Sequence, residues 1–157
     1  MRRYAIPDEP APSRYTHLVV TPFATLLGVM LGGSLVGLPW MAVNGWAMGS
    51  ATWKKEAAIA VGALIGQFVL VALVVALLGS GIVPREAGPY LAIGIQAFRL
   101  AAAYWAHLLQ SASFELYLHF GGRVARGGWM IAVGLLVLRL WLISSSELGP
   151  FAAVVGL

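Results

Sequence analysis

The stretch EAAIAVGALIGQFVLVALVVALL, positions 56–78, holds one charged residue at its head, Glu56, and one amide inside, Gln67. Twenty or so consecutive apolar residues match the ~30 Å hydrocarbon thickness of a bilayer, and only a helix satisfies its own backbone there. The run therefore predicts a membrane-spanning helix. Composition extends that reading to the whole chain of 157 residues, which is 60% hydrophobic and 10% charged with a mean hydropathy of +0.85. An ordinary soluble domain carries about 25% charged residues.

The fold class expected is an all-α membrane protein, a transmembrane bundle of four spans joined by short loops. Span 1 covers 21–48, where Pro22 suits a first helical turn and Pro39 is placed to kink the second half. Span 2 is the run at 56–78. Span 3 covers 91–111, its helical pattern continuing to Phe120, and span 4 covers 129–146. Residues 1–16 read as an extended, proline-rich tail rather than a secretory signal, because Pro7, Asp8, Glu9 and Pro10 stand where an apolar segment belongs. Residues 17–157 form the single bundle, with 147–157 as a short tail at the interface.

Glycines four apart, Gly28 with Gly32, Gly33 with Gly37 and Gly62 with Gly66, let helices approach closely where lipid and neighbour are equally apolar. Asn44 and Gln67 are expected to hydrogen-bond between helices. Lys54 and Lys55 flank one connection, Arg123 and Arg126 another, and Arg14 and Arg85 lie on the opposite side in a four-span path. Residues nearest the span ends decide orientation, so both termini are expected outside, in a bacterial inner membrane.

The polar residues inside the spans carry any function. At about 100° per residue, Gln96, Arg99, His107 and Gln110 share one face of span 3. Arg139 lies ~15 Å into span 4 at 1.5 Å per residue. If spans 3 and 4 form a tight antiparallel pair, Arg139 faces that polar band and Arg99 comes within reach of Glu147 as an ion pair. Buried charges cost about 2.5–3.5 kcal/mol on insertion scales, so neither arginine should face lipid unsupported.

Cysteine is absent, which excludes disulfides, thiolate metal sites and cysteine nucleophiles. Glu115 and His119 share a helix face and read as an interfacial ion pair. His107 and His119 stand ~18 Å apart along a helix and cannot hold one ion or one haem. No hydrolase, nucleotide-binding or metalloprotease motif is present, and the ten basic residues are scattered rather than clustered as nucleic acid requires. Neither enzyme activity, metal nor cofactor is expected. The expected partners are lipid and a membrane protein or further copies of the chain. Two functions follow: a non-enzymatic membrane subunit that packs through glycine-rich and arginine-bearing faces, or a small homo-oligomeric channel or transporter for an anion or proton-coupled solute.

Overall fold

The computed structural model describes residues 14–125 and 127–144, and among these every regular element is helical. Thr21 caps the first helix, its hydroxyl accepting from the Ala24 N–H at 3.3 Å, and Pro22 occupies the first turn, where a missing N–H costs nothing. This helix, α1, is Pro22–Gly32; α2 is Ser34–Met48, α3 Trp53–Gly79, α4 Gly88–His119 and α5 Gly128–Ser144. Among the described helices only α3 is both long and apolar enough to cross a membrane.

The expected single helix over 21–48 is two helices, and the break falls at Gly33 rather than at a kink on Pro39. Gly33 has φ 82° and ψ 176°, a backbone region essentially reserved for glycine. Pro39 sits inside α2 without ending it. After Gly33 the chain turns back on itself. The Asn44 side chain bonds both the N–H and the carbonyl of Val20, at 2.9 and 3.2 Å, and a Cβ on Gly28 would lie 3.8 Å from the Gly37 Cα. In one straight helix Val20 and Asn44 would be about 36 Å apart. α1 and α2 therefore make an antiparallel hairpin with Gly33 at its tip, and Gly37 against Val29 permits the close approach.

α3 runs antiparallel to α2, with Gly45 against the Glu56 carboxylate and Leu38, Met41, Ala60 and Ala63 joined in one apolar cluster with Ala103 and Ala106. α4 returns along α3, its Phe98 ring 2.9 Å from a Cβ on Gly66, and Val74 packs with Ala92 and Ile95. The buried positions of α4, Gly88, Ala92, Ile95, Arg99, Ala103, Ala106, Gln110 and Tyr117, form one helical stripe.

The connection after α4 does not fold straight back. The Ala125 N–H donates to the Val19 carbonyl at 2.6 Å, and the Tyr117 hydroxyl donates to the Arg123 carbonyl at 2.8 Å. The segment thus crosses the start of α1 and delivers α5 alongside it. α5 runs parallel to α1: Gly127 meets Ala24, Met130 approaches Gly28, and Gly134 stacks on Gly32, where a Cβ would come within 3.0 Å of the Gly134 Cα. This replaces the expected tight pairing of spans 3 and 4, because α5 packs on α1 and has no comparable interface with α4.

The hairpin is tested by cross-linking in this cysteine-free chain. Val19 and Ala47 share one buried cluster, whereas a continuous helix would hold them about 42 Å apart. Val19→Cys with Ala47→Cys should cross-link within one chain under mild oxidation, read as a mobility shift that either single variant lacks.

Candidate functional site

Two polar layers lie inside the bundle. The first is at the mouth of the hairpin, where α1 begins and α2 ends. Asn44 is fully buried; besides Val20 it donates to the Gln110 side-chain oxygen at 3.3 Å, and the Gln110 amide donates to the Met41 carbonyl. Two helices, α2 and α4, and the segment that leads into α1 are joined through two amides. The Met41 carbonyl projects from the α2 segment that contains Pro39, and Gln110 is the donor that reaches it.

Beside this pair stands Glu56, fully buried in the first turn of α3. Its Oε1 accepts from the Ser50 hydroxyl at 2.7 Å and the Thr52 hydroxyl at 2.6 Å, and Ser113 of α4 lies 2.9 Å from Ser50. Its Oε2 is buried against Gly45, near the Gln110 amide, and has no hydrogen-bond partner. A side chain at residue 45 would occupy the carboxylate's place.

The second layer is at the hairpin tip. Ser34 and Gln67 stand equally far along their helices from the Gly45–Glu56 contact, so the antiparallel register brings them level. Arg99 follows Phe98, whose ring touches Gly66, next to Gln67. Ser34, Gln67 and Arg99 are 1%, 1% and 6% exposed. A helix end inside a bundle leaves carbonyls of α1 and N–H groups of α2 without intrahelical partners, and this layer supplies polar groups at that depth.

The expected band on α4 is therefore divided. Gln110 belongs to the mouth and Arg99 to the tip, about 16 Å apart along the helix, while Gln96 and His107 are half-buried on the flanks. His107 stands beside Tyr104, ring centroids 6.0 Å apart, and its buried Nδ1 has no hydrogen-bond partner. Arg139 lies on α5, but its side chain is outside the described residues, as is Glu147, so the expected Arg99–Glu147 pair lies outside them as well. Glu115 and His119 are exposed and do not pair; His119 meets Phe120 edge-on.

Of the glycines, Gly28 and Gly37 face each other within the hairpin, Gly32 packs on Gly134 and Gly66 on Phe98. Gly33 makes the turn, and Gly62 is exposed with nothing within 4 Å of a Cβ. Sequence reading missed Ser50, Thr52, Glu56 and Ser113. The available signal was a carboxylate opening an apolar run with hydroxyls four and six residues before it.

Comparison with family models, with curated proteins and with solved structures finds no match.

Replacing Gln110 by Leu takes from the Asn44 amide its bond to the Gln110 oxygen and from the Met41 carbonyl its side-chain donor, at a buried site. Each buried unsatisfied group costs about 1–3 kcal/mol. Equilibrium unfolding should show Gln110→Leu and Asn44→Leu each destabilising by about that amount, and the double variant costing less than their sum.

Proposed function

We propose that the chain is an integral membrane protein in which α3 and α4 cross the bilayer, α5 runs toward the far face, and the α1–α2 hairpin enters and leaves by one face. Gln67, level with the hairpin tip, is the midpoint of the apolar run 56–78, so the tip lies near mid-depth. In hydrocarbon, non-helical backbone is tolerated only when buried in protein or lining a polar cavity. Broken helices meeting at mid-depth are where membrane transporters bind solutes.

The observation that carries our reading is this helix break at the level of the buried Arg99, Gln67 and Ser34. A permanent cation beside paired helix ends suits a small anion or polar solute, and the reading is of a small channel or transporter working as a homo-oligomer. A few helices enclose little space, so several copies supply the path. The outer faces fit lipid: Val61, Ile65, Val69 and Leu73 of α3 and Ile93, Trp105 and Leu108 of α4 are each more than half exposed. Two of the polar residues that lower the hydropathy of α4, Arg99 and Gln110, are buried.

Orientation follows from the hairpin. Arg14, Lys54, Lys55 and Arg123 all lie at its mouth, and Arg85 lies at the other end. Positive residues favour the cytoplasm, so the mouth is placed inside and the α3–α4 loop outside. The alternative, with both termini outside, requires residues 21–48 to cross the bilayer completely.

The membrane-subunit reading is supported by a different feature. An open apolar groove of about 370 Å³ between α3 and α4 is floored by Gly62 and Ala102 and walled by Phe98 and Trp105. Small residues beneath aromatic walls suit a partner helix.

Reporter fusions within 80–84 and ahead of Tyr15 should read periplasmic and cytoplasmic respectively; the reverse would sink the orientation. For activity, purified protein in liposomes should pass chloride or formate, and Arg99→Gln should lower that flux at least tenfold while unfolding close to wild type. A stoichiometric unrelated protein in the purified complex, with no flux from the isolated chain, would favour the subunit reading.

A further inference from the structure

The mouth layer contains a carboxylate that the solute path at Arg99 does not use. Glu56 is fully buried, and Oε1 already accepts two hydroxyl protons while Oε2 accepts none. The nearest basic residues in sequence, Lys54 and Lys55, are exposed, and Lys54 lies over the Trp53 ring, 5.8 Å from its centroid. Among the described residues no basic side chain bonds to Glu56. An isolated buried carboxylate is costly unless its charge is met.

Around it the oxygens converge. Ser50 Oγ, Thr52 Oγ1 and Ser113 Oγ lie 2.9–3.5 Å from one another, and two of them touch the carboxylate. These come from the α2–α3 loop and from α4, with the carboxylate on α3. Thr52 does not spend its side chain on capping α3. A mainly apolar cleft of about 280 Å³, walled by Leu108, Leu109, Ala112 and Leu116, reaches two of these hydroxyls, Thr52 and Ser113. A small ligand can therefore reach Thr52 and Ser113, which lie against Ser50 and the carboxylate behind it.

We propose that Glu56, Ser50, Thr52 and Ser113 bind a monovalent hard cation, with sodium as the probe. Every donor is oxygen, which excludes a preference for softer metals that seek nitrogen or sulfur. One carboxylate balances one positive charge. No cluster of three or more His, Asp or Glu forms among the described residues, whereas calcium sites gather several carboxylates. The Ser50 and Thr52 oxygens keep lone pairs for the ion while their protons point at Oε1, and Ser113 adds a third hydroxyl oxygen. Gly45 makes room for the carboxylate itself, because Oε2 occupies the place a Cβ would take there. The ion holds the α2–α3 loop against α4 and so fixes the hairpin mouth. Its use as a coupling ion rests on the transport reading, but its binding does not.

The experiment is thermal unfolding of the full chain in detergent at constant ionic strength and pH, replacing choline chloride stepwise with sodium chloride. Sodium should raise the midpoint saturably, as a ligand that binds only the folded state must. Glu56→Gln should abolish the rise, and Ser113→Ala, which keeps the carboxylate, should shift the half-saturating sodium concentration upward about tenfold. If Glu56→Gln does not fold, Ser113→Ala decides. The same midpoint in sodium and choline for wild type would overturn the proposal, as would a full sodium response in both variants. A midpoint that responds to lowered pH and not to sodium would assign Glu56 to a proton instead. None of these outcomes depends on solute flux, so the site and the transport reading fail separately.

Discussion

The reversal at Gly33 is the constraint from which the rest of the structure follows. Turning a helix back inside the bundle leaves carbonyls at the end of α1 and N–H groups at the start of α2 without helical partners. Such ends are tolerated in an apolar setting only among polar groups or water. Ser34, Gln67 and Arg99, all buried, occupy that level. An arginine that looks out of place in an apolar span is thus placed where helix ends need polar company.

The two segments of chain that enter the hairpin must also be held together, and this is done with amides beside an apolar cluster of Val19, Ala47, Met48 and Tyr117. Asn44 bonds both backbone groups of Val20 and passes to Gln110, which reaches Met41. Close packing at glycines and hydrogen bonds between elements do the joining. The glycine contacts at Gly28, Gly32 and Gly37 and the amides at the mouth are the two parts of that solution. Glu56 and its hydroxyls sit beside the amides, so a charge at the mouth acts on the same joint.

Much of this was legible in the residues. The apolar run at 56–78 announces a long helix, Thr21 and Pro22 mark a helix start, and of the polar stripe on α4 Arg99 and Gln110 are buried while Gln96 and His107 are half-buried. What was not legible was the hairpin. A Gly-Gly pair inside an apolar stretch reads equally well as a packing motif, and a proline six residues later draws attention to itself as the kink. Gly32 does pack, on Gly134, while its neighbour Gly33 turns the chain. Local sequence does not distinguish these roles, because the packing partner lies about a hundred residues away.

By itself, the sequence determined that the chain is helical and strongly apolar, and which helix faces carry polar groups. Those follow from periodicity and composition, which are local. Only the tertiary structure decided that residues 21–48 double back, that α5 lies on α1 instead of α4, and that Glu56 meets Ser50, Thr52 and Ser113. Each depends on contacts between distant residues, where a Cβ is missing, an amide can reach or a loop crosses over, and no local pattern encodes them.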